Sequence, residues 1–328
     1  MENTTFVYGS ELKGSGQVTV FNVVISSIIF TLSTLAVILG AVNLYFIEKL
    51  KIFHNAFGWF WASRTVGEIL VELNHAGYNA PISFFQLKEV SIVVGMLPYF
   101  FFFIGALSSC LMHGILAANR FVAVSKPFLY ARLFSTKISI GIIAFTWANC
   151  FVLYSVYIIV PCNLISYSPQ IYEYVFIKCT DHLDRDTSIV GLVYNRLCLV
   201  VCVCSVLVDC GTLARIIYIR KVLRMGADSK NFKRDVRFFK QSAFQNISMI
   251  ISVIMIVYAD NRYLPEHMVT NIVGFNAVVV THVTNPLSLL IFNPEVRGRL
   301  TGRISSTMAE SHAYISRPER SHRINSVL

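Results

Sequence analysis

Five stretches of the chain, 18–47, 90–119, 138–160, 241–259 and 267–294, contain no Asp, Glu, Lys or Arg. Each is close to or longer than the ~20 apolar residues that carry an α-helix across a bilayer. In hydrocarbon every backbone N–H and C=O must be paired internally, so uncharged runs of this length commit the chain to spanning helices. Composition agrees: 14% of residues are charged and 55% are hydrophobic, against about 25% charged in ordinary soluble domains. No polar linker, repeat or low-complexity segment interrupts the pattern. The expected class is an all-α polytopic membrane protein with a polar tail.

Two further runs are less clean. Residues 189–214 form a sixth, interrupted by Arg196 and Asp209. Residues 55–74 form a seventh, which opens with "FGWFWAS" but carries Arg64, Glu68 and Glu72. Seven spans is the reading adopted, with six as the fallback if the second fails. Charge then orients them. With seven spans, the segments 48–54, 119–137, 215–240 and the tail from 295 carry +1, +4, +7 and +3. The opposite set, the N-terminal segment with 75–89, 161–188 and 260–266, carries −1, 0, −2 and −1. The positive-inside rule places the N-terminus outside and the tail in the cytosol. The expected organisation is an extracellular segment 1–19, a seven-span domain 20–294 and a cytosolic tail 295–328. The opening "MENTTF" lacks a basic n-region, so the first span is expected to act as its own signal anchor. Asn3 stands in an Asn-x-Thr glycosylation sequon on the outer side. The basic excess calls for membrane lipids and an acidic cytosolic partner, not nucleic acid.

Ionisable groups inside spans are costly and are candidates for function. Arg64 and Glu68 are four apart and either neutralise each other or leave Glu68 as a switch or ion site. Asp209 lies toward the cytosolic side of its span. His113 and His282 are expected to hydrogen-bond within the bundle; no second ligand stands at metal spacing, so neither a metal nor a cofactor is expected. Cys162 and Cys179 bracket sixteen residues of an outer loop; the oxidising outside favours a disulfide over free thiols. The segment 215–240 carries cations at Arg220, Lys221, Arg224, Lys233, Arg234 and Arg237 with helical spacing. It reads as helical extensions with a basic face, for lipid anchoring, for docking a partner, or for both.

These features resemble the rhodopsin-like G-protein-coupled receptors. "AANRFVAVSKP" follows the third span, with Asn119-Arg120-Phe121 where the family ends that helix in Asp/Glu-Arg-Tyr. "NPLSL", beginning at Asn285-Pro286, is similar to the family's Asn-Pro-x-x-Tyr, and "IFNPEVRGRL" to the short amphipathic eighth helix after it. Trp147 matches the fourth-span tryptophan, Asn43 the first-span asparagine and Glu68 the second-span aspartate. The departures are specific. Asn119 replaces the acid beside the arginine, Leu289 the tyrosine, and Gly95 stands where a cysteine is expected, while the fifth and sixth spans hold no proline. Together with "FHNAFGWFWAS", "LAANRFVAVSKPFLYARLFS" and "FKRDVRFFKQSAFQN", they resemble the nematode serpentine receptor class x chemoreceptors over nearly the whole chain.

The resemblance implies no catalysis. A chemical cue would bind among the outer halves of the helices and shift a conformational equilibrium, and a heterotrimeric G protein would dock against Arg120 and the basic third loop. Asn43, Glu68, Trp147, Asn285 and Pro286 would form the activation switch. Pocket candidates at the outer ends are Leu97, Tyr99, Phe103, Tyr194, Tyr258, Asn271 and Phe275, with Arg196 as the residue to meet an anionic ligand. The expected location is the plasma membrane, in a sensory cilium. A transporter would be expected to show an internal repeat. A seven-span odorant-gated channel would be expected to run with its N-terminus inside. No paired acids or Ser/His constellation supports an intramembrane enzyme.

Overall fold

The computed structural model describes residues 7–180, 183, 185–222, 229–259 and 268–301, without the side chains of 220, 222, 229–238 and 259. Helix α1, Val20–Lys49, starts at Thr19, whose hydroxyl accepts from the Asn22 backbone N–H while the Asn22 side chain accepts from the Thr19 N–H, both at 3.2 Å. This reciprocal cap satisfies donors that the first turn would otherwise leave open. Helix α2, Ala56–Asn74, is capped by Asn55 and runs on through one wide turn, His75–Asn79, into α3, Ala80–Phe85. In that turn the Ala80 N–H reaches the His75 carbonyl, a five-residue step. Pro81 follows directly; its ring cannot sit against an undisturbed preceding turn, and the extra residue relieves the clash.

Helix α4, Ile92–Ser125, runs through the middle of the bundle and packs against α2, against α6, Thr136–Ile159, and against α7, Ile189–Val222. A short α5, Pro127–Leu133, follows α4. α2 and α4 meet backbone to backbone: a Cβ on Gly67 would lie 2.7 Å from the Gly105 carbonyl oxygen, and the reverse holds equally. Small residues at a membrane helix crossing permit this approach. α8, Ser229–Ala259, packs on α9, Met268–Phe292, which also lies against α1. Asn293 then caps α10, Pro294–Leu300, accepting from the Glu295 and Val296 N–H groups at 3.0 and 3.2 Å. Buried Val296 joins a cluster with Phe46, Ile47 and Leu289, which holds α10 against the bundle.

One end of the bundle is covered by a hairpin of β1, Ile165–Ser168, and β2, Glu173–Phe176, paired antiparallel with Ile165 opposite Phe176. Cys162 and Cys179 are joined at its base with Cα atoms 5.4 Å apart. The Ser166 hydroxyl donates to the Gly95 carbonyl, so the hairpin is tied to α4 by a hydrogen bond at the position where the sequence lacks a cysteine. Closing a loop of this length removes about 3 kcal/mol of chain entropy. Replacing Cys162 and Cys179 by Ala is therefore expected to lower thermal stability by an amount that reductant reproduces in the unmodified protein. A melting curve indifferent to both would show that the hairpin holds without its staple.

Among the described residues six helices, α1, α4, α6, α7, α8 and α9, are long and apolar enough to cross a membrane. α2 makes the seventh crossing. Its 19 residues span ~28 Å, and its three charges face inward: Arg64, Glu68 and Glu72 are 2%, 4% and 1% exposed. The seven-span reading holds because hydropathy counts charges without regard to the side they face. The long helices also overrun the uncharged windows, α4 to Ser125 and α7 to Val222, since helical hydrogen bonding does not stop where lipid does.

Candidate functional site

At the end opposite the hairpin, Arg120 forks onto Asp209 of α7. Its Nη2 donates to Oδ2 at 2.9 Å and to Oδ1 at 3.0 Å, and its Nε to Oδ1 at 3.2 Å. Asp209 also accepts from the Ser242 hydroxyl and, at 2.7 Å, from the Asn246 amide of α8. Asn246 in turn is bonded to His113 of α4. One carboxylate thus ties α4, α7 and α8 together. The acid missing beside Arg120 in the chain is supplied from another helix. A cavity of about 390 Å³ opens here, bounded by Phe53, Asn119, Arg120, Asp209, Ile216 and Phe239. Asn119 is buried, its amide 3.5 Å from the Tyr130 hydroxyl.

The other residues expected to meet a partner divide. Phe121 is 39% exposed, its ring within van der Waals reach of Gly211 of α7. It does not line the cavity, because it stands one position from Arg120 on a helix and so faces about 100° away. Lys221 is exposed near the end of α7. Asn3 and Arg224 lie outside the described residues, as do the side chains of Arg220, Lys233, Arg234 and Arg237.

Midway through the bundle lies a second polar cluster. Glu68 accepts from Arg64 Nε at 2.9 Å, from the Asn285 amide at 2.6 Å and from the Ser109 hydroxyl at 3.4 Å. Gln245 of α8 accepts from Arg64 Nη1 at 3.4 Å and donates to the Asn285 carbonyl at 3.1 Å and the Ser288 hydroxyl at 2.7 Å. Pro286, within α9, removes one N–H from the ladder beside this cluster. Asn43 lies nearby but bonds Thr65 at 3.1 Å rather than Glu68, and the Trp147 indole donates to Ser63 at 3.0 Å. Glu72 and His282 pair at 2.7 Å. Glu68 thus neutralises Arg64 and, with the same oxygen, binds Asn285.

Under the hairpin is an aromatic cavity of about 150 Å³. Tyr99 and Phe103 of α4, Tyr194 of α7 and Phe275 of α9 line it, with Tyr174 of β2 above and His75 and His282 on its polar side. Tyr99 and Tyr157 share a hydrogen bond at 2.9 Å. Tyr174 accepts from the Asn74 and Asn79 amides at 2.7 and 3.0 Å. Burial pushes the phenols of Tyr167 and Tyr174 in the hairpin up from their ordinary values, so both remain neutral.

Four expected pocket residues are corrected. Leu97 is 56% and Tyr258 48% exposed, on outward faces. Arg196 is exposed as well; a guanidinium near a helix end reaches outward to water and headgroups rather than into an apolar cavity. Asn271 is buried, but not among the residues that line the cavity. Residues the sequence reading missed are Ser242, Gln245 and Asn246, polar positions on one face of α8 at the spacing i, i+3, i+4. That spacing was the signal available. His75 carried none, since it sits at a span boundary.

The chain is 23% identical over 225 residues to human olfactory receptor 11A1, an alignment covering 66% of this chain and 69% of the receptor. Its fold matches the crystal structure of squid rhodopsin with a TM-score of 0.68 and 13% identity, covering 97% of this chain and 94% of that one. The family profile described as serpentine type 7TM GPCR chemoreceptor Srx matches residues 30–293. That match spans well over half of the chain and runs from α1 to the end of α9, so the protein is a multi-pass membrane receptor belonging to the Srx family of serpentine G-protein-coupled chemoreceptors.

Proposed function

We propose that the receptor binds an external chemical cue in the aromatic cavity under the hairpin and signals to a heterotrimeric G protein at the Arg120 end. In this reading the N-terminal segment 1–19 and the hairpin face outward. Residues 20–294 form the receptor domain, residues 295–328 lie in the cytosol, and the chain resides in the plasma membrane of a sensory cilium. One observation carries the proposal. His282 and Asn285 line the cavity, and Asn285 is bonded to Glu68 and Gln245. Gln245 stands beside Ser242 and Asn246, the two α8 residues that hold Asp209. A ligand that favours a different position of α9 therefore bears on the same α8 face that restrains Arg120. A ligand shifts such an equilibrium only by its differential affinity for the two states.

The reading is tested in cells with epitope tags at both termini and a G-protein reporter, screened against small volatile and water-soluble compounds. The N-terminal tag should stain without permeabilisation and the C-terminal tag only after it. The reverse pattern would put the basic loops outside and end the G-protein mechanism. That pattern, with cue-driven ion currents and no G-protein response, would favour a channel.

A further inference from the structure

The wide turn at His75–Asn79 places an unpaired hydrogen-bond donor on a residue that lines the cavity under the hairpin. The Asn79 amide nitrogen lies 2.7 Å from His75 Nδ1 and donates to it. A ring nitrogen that accepts an N–H carries no proton, so this imidazole is neutral and its hydrogen is on Nε2. Nε2 is buried and has no hydrogen-bond partner among the described residues. Aromatic rings enclose the imidazole, with Phe275, Phe102 and Tyr174 centroids 4.7, 5.6 and 6.3 Å away. A donor held in such a place without an acceptor is unfavourable, and whatever fills the cavity with an acceptor relieves it.

Charge narrows the occupant. Among the described residues lining the cavity there is no Lys or Arg, and Glu173 is one of them. A carboxylate or sulfate would lose its hydration with no cation in return. An ammonium group could pair with Glu173, but against Nε2–H it would present only further N–H donors and leave that donor unpaired. Size narrows it further, because an apolar cavity of roughly 150 Å³ accommodates a molecule such as benzene.

We propose that this cavity recognises a small neutral molecule of about benzene size whose carbonyl or ether oxygen accepts a hydrogen bond from His75 Nε2, with its hydrocarbon part against Phe103 and Phe275. The proposal rests on the cavity being the cue site, and its test separates the two. The probes are cyclohexanone, methylcyclohexane and cyclohexylamine, titrated against the purified full-length receptor in lipid nanodiscs. Binding is followed by saturation-transfer NMR, and the carbonyl stretch of bound cyclohexanone by infrared spectroscopy.

Cyclohexanone should bind with its stretch lowered relative to the value in alkane, a readout that needs no variant. His75→Phe should weaken cyclohexanone roughly five- to tenfold, the effect of one lost hydrogen bond, and methylcyclohexane less than twofold. His75→Gln, which keeps an N–H, should recover part of the loss. An alkane-like stretch in the unmodified receptor, or equal losses for both probes, overturns the acceptor assignment; so does tighter binding of cyclohexylamine. If Phe103→Trp, which fills the cavity, still abolishes binding in those cases, the cue site itself stands. Binding by none of the probes, or binding indifferent to Phe103→Trp, removes the cue site and the ligand class with it.

Discussion

Asp209→Asn is expected to raise signalling without ligand by on the order of tenfold at equal surface expression. The substitution keeps the shape of the side chain and removes the charge that Arg120 grips through three contacts of 2.9 to 3.2 Å. Losing one partner of a fully buried pair costs about 3–5 kcal/mol. The Arg120 side chain keeps 16% of its surface in contact with solvent, so about 1–2 kcal/mol is the appropriate scale, and 1.4 kcal/mol is tenfold in a two-state equilibrium. The complementary change is Arg120→Ala. It should abolish cue-driven G-protein activation and leave surface expression largely intact, because Asp209 keeps its donors from Ser242 and Asn246. In the double variant the raised basal signal should vanish. A normally expressed Arg120→Ala receptor that signals as before would take Arg120 out of the mechanism. Unchanged basal activity in Asp209→Asn would show that the ion pair does not hold the resting state.

Arg64→Leu should destabilise the receptor by about 3–5 kcal/mol, the cost of stranding one buried charge. Arg64 and Glu68 have side chains 2% and 5% exposed, so water cannot take over for the missing guanidinium. Arg64→Leu combined with Glu68→Leu leaves no charge behind and should recover most of the loss, since two apolar side chains can replace a buried pair at little net cost. The double variant should nevertheless fail to signal, because Asn285 and Ser109 then lose their shared acceptor. Fluorescence-detected melting of the detergent-extracted receptor measures the first effect and the G-protein reporter the second. Equal melting temperatures for single and double variants would show that a stranded Glu68 is not the source of the loss.

The two polar clusters were legible to different degrees. Asn285, Pro286 and Arg120 were placed through short motifs whose neighbours in sequence are also neighbours on one helix, and Glu68 by its spacing from Arg120. The Arg120–Asp209 pair spans 89 residues and the Glu68–Asn285 contact 217; no local pattern carries a partner at such distance. The cavity under the hairpin was half legible. Tyr99, Phe103, Tyr194 and Phe275 line it, whereas Leu97, Tyr258 and Arg196 face out. A helix apolar on every side offers no contrast between the face toward lipid and the face toward protein.

By itself the sequence determined which segments are apolar enough to cross, where the basic residues gather between them, and which short motifs they carry. These follow from hydrogen bonding and hydration along one segment at a time, which the bilayer enforces locally. The tertiary structure alone decided what each inward side chain meets. It turned three charges of α2 from an argument against a span into the centre of the bundle. It brought an acid from α7 to the arginine of α4, and it set the imidazole of His75, with its Nε2 unpaired, among the rings that line an aromatic cavity. Those outcomes depend on helix rotation and packing between segments far apart in the chain, and only the assembled bundle specifies them.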